Sequence, residues 1–292
     1  MVNLFTTYYN EKDLVRALEL QDCLALNVAC EVIDKIYVWL ENMPEIPIKS
    51  SKIVIIPSSK RPTYKDFFQE INSRTEHEDI NIIANTDIFF KEDLEGIKQL
   101  NFKNKCLALT RWDIGEDLEP NFLGRVDSQD SWIFKGKVNE VKGDFFLGAL
   151  GCDNKIAFEF QEAGYRVLNP SLSIKSYHLH LSQYRSGLSA YTAVPLPGPY
   201  LYLIISAHQG TLNNQMVNFL GKNQVNIKNN NFLMHRLFED YLNEINSNNI
   251  KDFKGQVYLL MKCLHYRPAT NKKYLRYFFK KLLKPSVKIW LQ

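Results

Sequence analysis

The sequence predicts an α/β fold in which helices cover a parallel β-sheet. Strand-like and helical patterns alternate along the first half of the chain, as is typical of parallel strands joined by helices. With 292 residues, of which 45% are hydrophobic and 23% charged, the chain can bury one large core, or one core and a smaller appendage. A late helix that ends at a glycine and leads into another strand continues the alternation.

The elements of the first half follow from their residue patterns. Strand-like runs predict strands at 2–7, 35–40, 52–57, 80–84 and 106–110. Helical spacing predicts helices at 11–29 and 64–74. The strand at 80–84 is apolar throughout, apart from one asparagine, and runs directly into a polar segment.

The second half begins with a loop-rich section and then returns to regular elements. The section contains a strand-like segment at 132–134 among residues that favour turns, namely Gly115, Pro120, Gly124 and Gly136. A helix is predicted from about Cys152 to Gly164, with the glycine at the position of a C-terminal cap, and a strand at 166–168 follows.

The character of the sequence changes after about residue 181. Three prolines between residues 195 and 199 predict a linker or a pinned loop, and asparagine-rich segments further on separate helical pieces. We expect a main domain of residues 1–190 and a helical C-terminal extension of residues 191–292 that ends in a basic amphipathic helix.

The composition indicates which partners and which cellular compartment the protein is expected to have. The net charge is only +4, and Lys and Arg are spread along the chain until about the last twenty residues, which argues against a general nucleic-acid binder. The five cysteines are widely spaced and form no CxxC pair, so we expect reduced thiols in a cytoplasmic protein. No secretory signal is visible, and no apolar stretch approaches the roughly 20 residues that a bilayer requires.

A short polar motif, Asn85-Thr86-Asp87, follows the apolar strand at 80–84. Ligands of open α/β folds bind at the carboxyl ends of the strands. Carboxylate oxygen at that edge can bind a divalent cation, which bridges the phosphates of a nucleotide. The alternative is that Asp87 begins a turn or caps the helix near Glu92.

A glycine-bearing loop, residues 145–151, delivers Asp153 to the start of a helix. A carboxylate in a closing cleft can act as a general base that removes the proton from an acceptor hydroxyl. Asp153 is also a typical helix N-cap, and the two roles are compatible.

Two histidines, His178 and His180, follow a strand-like segment. Strand alternation puts both imidazoles on the same face, where they could share a metal ion or a phosphate. In a loop, either histidine could act alone.

An ordered set of motifs over residues 1–185 resembles the GT-A family of nucleotide-sugar glycosyltransferases. The set comprises Thr6-Thr7-Tyr8, Asn85-Thr86-Asp87, Gly151-Cys152-Asp153-Asn154, Gly164-Tyr165, Asn169-Pro170-Ser171 and His178-Leu179-His180. The resemblance implies a Rossmann-related mixed sheet flanked by helices. It also implies a sugar transferase that uses a nucleotide-sugar donor, which Thr6, Thr7 and Tyr8 would contact. The implied acceptor is a glycan or a lipid-linked sugar, in surface polysaccharide or glycoconjugate synthesis.

The resemblance assigns roles to four of these positions. In that family a DxD motif binds the metal and the donor diphosphate, and Asp87 matches its last Asp, whereas Asn85 replaces the first and weakens metal affinity. His178 or His180 matches the histidine that completes a site for Mn²⁺ or Mg²⁺. Asp153 matches the catalytic base of inverting members, although the acid that usually precedes it is here a cysteine.

Charged residues at two further strand ends fit the same picture. Lys60 and Arg61 follow a strand and precede a helix, where they could reach the donor diphosphate, although a solvated loop is equally consistent with them. Arg111 and Asp113 end another strand, where they could line the donor or acceptor pocket or form a structural ion pair.

Residues 128–132 combine polar side chains with an aromatic ring. Asp130 and Trp132 would suit the hydroxyl groups and the apolar face of a sugar in the donor or acceptor pocket. A plain turn before a strand is the alternative interpretation.

The C-terminal segment, residues 271–292, has an aromatic and apolar face in helical register surrounded by lysines and an arginine. Such a helix can bind an anionic membrane surface, which would suit a lipid-linked acceptor at the inner face of a membrane. A helix packed on its own domain with a solvated basic face is the alternative.

Two other functions compete with sugar transfer. A sugar nucleotidyltransferase has a related core, but its usual Gly-rich, Arg-containing loop is missing after the first strand. A non-catalytic nucleotide-sugar-binding or scaffolding protein with the same fold belongs to a different class. Turnover of a nucleotide sugar would distinguish the enzyme from the scaffold.

Overall fold

The computed structural model describes residues 1–43, 45–115, 117–125, 127–181, 196–203 and 205, together with the backbone of residues 219–221. These residues form an α/β fold, which confirms the predicted class. The strands are β1 (Val2–Tyr9), β2 (Lys35–Glu41), β3 (Ile53–Ser58), β4 (Ile80–Ala84), β5 (Ile88–Phe89), β6 (Lys105–Leu109), β7 (Arg111–Ile114), β8 (Pro120–Asn121), β9 (Ser131–Lys135), β10 (Arg166–Leu168), β11 (Ser176–Leu179), β12 (Tyr200–Tyr202) and β13 (Phe219–Gly221). The helices are α1 (Leu14–Ala29), α2 (Tyr64–Arg74) and α3 (Cys152–Glu162), with a 3-10 helix at Glu92–Gln99.

The main sheet has seven strands in the order β10-β6-β9-β4-β1-β2-β3. All of its neighbouring pairs are parallel except those made by β9, which is antiparallel to β4 and β6. The parallel pairing favoured by the alternation holds for the other pairs but not for those of β9, and the mixed sheet implied by the family resemblance is confirmed. The cause is the connection, because the described residues between β6 and β9 form β7 and β8 and include no helix of the kind that a parallel crossover uses.

A second sheet of four strands extends from the carboxyl edge of the main sheet, in the order β5-β11-β7-β8. Three residues separate β5 from the end of β4, and a single residue separates β7 from the end of β6. The polar residues at the ends of β4 and β6 therefore enter the second sheet directly.

The two faces of the main sheet carry separate hydrophobic cores. On one face Leu4 of β1 packs with Leu20 and Leu24 of α1. On the other face Phe5 packs with aromatic residues of α2 and α3, which include Phe67 and Phe160. Consecutive residues of β1 thus belong to opposite cores, as strand geometry requires.

Local capping sets the start of each helix. The side chain of Asp13 accepts a hydrogen bond from the Arg16 backbone, so α1 begins three residues later than the helix expected at 11–29. Thr63 and Asp66 form a capping box at α2, which spans the predicted residues. Gly164, with φ of +87°, follows the end of α3 and confirms the predicted glycine stop.

Most of the expected C-terminal extension, and the whole basic segment 271–292, lie outside the described residues. Within the described part, β12 and β13 form an antiparallel pair, and Leu201 and Leu203 join the core beside α3. Cys23, Cys30, Cys106 and Cys152 are buried and unpaired, as expected. Across the described ranges, no helix combines the length and hydropathy needed to cross a membrane.

Candidate functional site

Strand register brings together residues that are distant in sequence. In the second sheet β11 lies between β5 and β7, and His178 is opposite Ile88 on one side and Asp113 on the other. Asp87 immediately precedes Ile88. The register therefore puts one imidazole between two carboxylates at the carboxyl edge of the main sheet.

His178 is completely buried and contacts both carboxylates. Its Nδ1 lies 2.8 Å from Asp113 Oδ1, and its Nε2 lies 3.2 Å from Asp87 Oδ2. The Nε2 contact lacks hydrogen-bond geometry, so this buried nitrogen has no hydrogen-bond partner among the described residues. Burial lowers the pKa of His178, but the charge of Asp87 and the bond to Asp113 outweigh it, and the pKa is raised overall.

Asp87 is held from a second direction by Arg16 of α1. Arg16 is buried, and its guanidinium contacts Asp87 Oδ2 at 2.5 Å and Glu19 Oε2 at 2.7 Å. Burial raises the pKa of Asp87, but His178 and Arg16 together hold the pKa well below its usual range. Asp87 Oδ1 is buried without a hydrogen-bond partner in the described structure. Asp87 does not cap the following 3-10 helix, whose N-cap is Lys91.

Three side chains of this cluster could hold a metal ion. Asp113, His178 and His180 each offer a ligand atom, and these atoms lie within 4.8 Å of one another. The rings of His178 and His180 are 5.4 Å apart, which agrees with their expected placement on one face. Imidazole nitrogen and carboxylate oxygen are both ligands of divalent metal ions, and the unpartnered atoms Asp87 Oδ1 and His178 Nε2 lie next to this group. The residues therefore fit a divalent cation, and Asp113 joins the predicted ligand set.

Arg111, Asp130 and Asn85 continue the polar network. Arg111 Nε is 2.9 Å from Asp113 Oδ1, and Arg111 Nη1 is 3.4 Å from Asp130 Oδ1. The Asn85 side-chain amide donates to the same Asp130 oxygen over 2.9 Å. Burial raises the pKa of Asp130, and the charge of Arg111 opposes this rise. Arg111 and Asp113 thus form the ion pair that was one of their two predicted roles. They do so at the carboxyl edge of the sheet, where their other predicted role, in the donor or acceptor pocket, would also put them.

Asp153 lies in the first turn of α3 and is half-buried. The N-cap is Gly151, in a left-handed conformation, so Asp153 is free of the capping role that the sequence allowed. The backbone N–H of Gln129 and the thiol of Cys152, 3.1 Å away, donate to its carboxyl group. Burial and the negative charge of Asp130 raise the pKa of Asp153 to about 7.

Of the two basic residues expected at the donor, only Arg61 is partly enclosed. Gly148 has φ of +76°, and a Cβ added there would lie 2.6 Å from Arg61 Nη2. The guanidinium therefore lies against the glycine loop that precedes Asp153. The Nε of Arg61 is buried without a hydrogen-bond partner in the described ranges. Lys60 is exposed to solvent.

The end of β1 contributes differently at each of the three predicted positions. The hydroxyl groups of Thr7 and Thr86 are 2.7 Å apart, which ties β1 to the motif that contains Asp87. Thr6 is buried, and its hydroxyl has no hydrogen-bond partner among the described residues. Tyr8 packs in the hydrophobic core on the α1 face of the sheet, so its ring is not open to a ligand.

Trp132 is also a core residue. It is fully buried, and its ring meets the ring of Tyr64 edge-on at a centroid distance of 5.2 Å. The expected sugar-binding face of Trp132 is therefore covered, because this position of β9 points into the core beside α2 and α3. Asp130, which precedes β9, does reach the polar network.

Sequence reasoning missed Arg16, Glu19 and Tyr9. The signal for the first two was a charged pair at helical spacing i, i+3 on the face of α1 that also carries Leu20 and Leu24, where unpaired charge is rarely tolerated. The hydroxyl of Tyr9 lies in the field of Arg16, Asp87 and Arg61, and burial raises its pKa. No local pattern marks Tyr9, because its neighbours come from other elements.

Comparisons with known proteins give structural similarities only. No protein-family model and no curated protein sequence matches the chain. A mannosyltransferase from Pyrobaculum calidifontis, in complex with GDP-Man and Mn²⁺, is 12% identical with a TM-score of 0.41, over 63% of this chain and 58% of that one. A 4-diphosphocytidyl-2C-methyl-D-erythritol synthase from Anaerococcus prevotii is 15% identical with a TM-score of 0.32, over 46% and 69% of the two chains. An active-site mutant of LgtC is 9% identical with a TM-score of 0.30, over 71% and 88%. The chain thus spans less than two thirds of the length of the mannosyltransferase.

Proposed function

We propose that the protein is a glycosyltransferase that moves a sugar from a nucleotide-diphosphate sugar to a glycan or lipid-linked acceptor, with inversion and with the help of a metal ion. The observation that carries the proposal is the joint presence of two groups at one sheet edge. One is a histidine and carboxylate cluster suited to a divalent cation, and the other is Asp153, a carboxyl whose pKa is raised to about 7. An inverting, metal-assisted transfer of a sugar from a diphosphate donor uses both of these functions.

The donor end of the proposed site is the cluster around Asp87. Asp87, Asp113, His178 and His180 would hold Mn²⁺ or Mg²⁺, which when bound neutralises the negative charge of the diphosphate. Arg61, with no ion pair in the described structure, offers a guanidinium that can donate two hydrogen bonds to a phosphate. Asp113 holds His178 through Nδ1, an arrangement that fixes the orientation of the ring and leaves Nε2 as the ligand atom.

The acceptor end of the proposed site is Asp153. In its ionised form Asp153 accepts the proton of the acceptor hydroxyl while that oxygen forms a bond to the anomeric carbon of the donor sugar. The bond from the anomeric carbon to the diphosphate breaks in the same step, and the diphosphate leaves with the electron pair. A single displacement of this kind inverts the anomeric configuration. The donors from Gln129 and Cys152 orient the carboxyl group before the acceptor arrives.

Donor hydrolysis tests the proposal against the scaffolding alternative. The full-length protein is incubated with a panel of nucleotide sugars, with and without Mn²⁺, and release of the nucleoside diphosphate is measured. We expect release from at least one donor, stimulated by Mn²⁺ and lost in Asp87→Ala. In parallel, a nucleoside diphosphate with Mn²⁺ should raise the melting temperature, because a ligand of the native state stabilises it. If the nucleoside diphosphate raises the melting temperature but the protein neither hydrolyses any donor nor transfers sugar to any acceptor, the result would favour the scaffolding alternative.

A further inference from the structure

Helix α1 bonds to both chain segments that carry the proposed metal ligands. Arg16 Nη2 contacts Asp87 Oδ2 at 2.5 Å, and Arg16 Nη1 contacts Glu19 Oε2 at 2.7 Å. The other oxygen of Glu19, Oε1, accepts a hydrogen bond of 2.6 Å from the backbone N–H of Leu181, which directly follows His180. One ion pair of α1 thus joins the segment that contains Asp87 to the segment that contains both histidines.

The same face of α1 also fixes the strand that follows Asp87. The side-chain amide of Asn27 donates to the carbonyl oxygen of Ile88 over 2.8 Å, and its oxygen accepts from the backbone N–H of Phe90 over 3.1 Å. Arg16, Glu19 and Asn27 are 7%, 1% and 2% exposed. Polar groups buried to this degree cost free energy when they lose their partners. Reorientation of Asp87 would therefore break a buried contact.

The charge of the pair formed by Arg16 and Glu19 decides whether Arg16 helps or hinders a cation. A lone guanidinium beside Asp87 would offset the charge of the carboxylate and repel a metal ion. Glu19 offsets the charge of Arg16 instead, so the pair is formally neutral and Asp87 keeps its negative charge for a ligand. Arg16 bonds to Oδ2 of Asp87, whereas Oδ1 has no hydrogen-bond partner among the described residues. The carboxylate is thus oriented through one oxygen and unpartnered at the other.

We propose that Arg16 and Glu19 are positioning residues for the metal site, a neutral clamp that holds the Asp87 carboxylate and the end of β11 in place for a divalent cation. The inference rests on the metal site of the proposed function. Hydrogen-bond partners behind metal ligands orient those ligands, and loss of such a partner typically weakens metal affinity by about tenfold to a hundredfold. The clamp should therefore act on metal affinity and not only on stability.

The test is the Mn²⁺ affinity of the full-length protein, measured by calorimetry without donor and well below the melting temperature of each variant. The double variant Arg16→Gln with Glu19→Gln removes one charge of each sign, so its net charge is unchanged and it isolates the effect of positioning. We expect its Kd for Mn²⁺ to rise by about tenfold to a hundredfold. Arg16→Lys is the second variant if the double variant does not fold. Its Kd should also rise, because an ammonium group lacks the planar fork that bonds to both carboxylates.

Lys155→Gln with Glu159→Gln is the matched control. This ion pair lies on α3, its side chains are 16% and 10% exposed, and neither residue belongs to a ligand group. The control should lose stability and keep the wild-type Kd for Mn²⁺. A wild-type Kd in both the double variant and Arg16→Lys would overturn the clamp, even if the melting temperature falls.

Two further outcomes separate the clamp from the function that we propose. If the wild-type protein binds no Mn²⁺, the metal site is overturned, and the clamp with it. If Mn²⁺ binds and the Kd rises in the variants as expected, but no nucleotide sugar is turned over, the proposed function fails and the clamp stands.

Discussion

His178 is located by strand register, because pairing with β5 and β7 puts it between Asp87 and Asp113, residues 91 and 65 positions earlier in the chain. The predicted importance of Asp87 and His178 came from motif spacing, and the structure brings the two side chains together. Asp113 was expected at the same edge but not as a metal ligand, and Arg16 completed the cluster without a motif of its own. A cluster assembled from β7, β11, α1 and the loop after β4 is visible only once the strands are paired.

The metal cluster gives the first prediction. Asp87→Asn and His180→Ala should each weaken Mn²⁺ binding by about tenfold to a hundredfold or more, since each removes a charge or a ligand from the cluster. The affinity is measured by calorimetry on the protein without donor. His77→Ala is the control, because His77 is exposed and belongs to no ligand group. Equal affinity in all three variants and the wild type would remove the metal site.

The raised pKa of Asp153 gives the second prediction. Only the ionised carboxylate can accept a proton, so kcat/KM for transfer should rise with pH through about 7 and be lost as the pH falls below it. Asp153→Asn should lower the rate by about 10² to 10⁴ while donor binding stays nearly normal, because a positioned base is removed without loss of shape. The rate is measured by nucleoside diphosphate release across the pH range. A flat profile, or near-normal turnover in Asp153→Asn, would exclude the base.

At the scale of elements, the sequence predicted α2 and the glycine stop of α3 correctly, since capping is local chemistry that a few residues encode. It did not predict the antiparallel direction of β9, because direction depends on how residues 110–130 connect two strands. The burial of Trp132 was not predicted for a similar reason. Which face of β9 is covered by helices is not known from the sequence until the helices are placed. In the structure α2 and α3 cover the face that carries Trp132.

The loop before α3 gives the third prediction. Gly148→Ala puts a side chain on a residue with φ of +76° and within 2.6 Å of Arg61 Nη2, so it should lower stability by about 1 to 2 kcal/mol and displace the guanidinium. We expect weaker binding of a nucleoside diphosphate together with a lower melting temperature.

Gly164→Ala is the matched control for that loop. Gly164 has φ of +87°, but a Cβ there meets nothing within 4 Å. This variant should therefore lose a similar amount of stability and keep normal nucleotide affinity. Equal nucleotide affinity in both alanine variants would show that Arg61 makes no contact with the diphosphate.

At the scale of the whole molecule, residues 271–292 combine an aromatic face with many lysines, and they lie outside the described residues. We predict that removal of this segment abolishes binding to vesicles that contain phosphatidylserine and leaves activity on a soluble acceptor mimic intact, because a basic amphipathic helix binds anionic interfaces. Co-sedimentation with vesicles measures the binding. Equal sedimentation of the full-length and truncated proteins would contradict the membrane role.

The central claim is that one sheet edge combines a donor-diphosphate site with a general base for a single displacement. The measurement that tests it most directly is the anomeric configuration of the glycoside product, read by proton NMR after transfer of the sugar from a nucleotide-sugar donor to an acceptor. A base at Asp153 and attack opposite the leaving diphosphate predict a product of inverted configuration. A product that keeps the configuration of the donor would contradict the account.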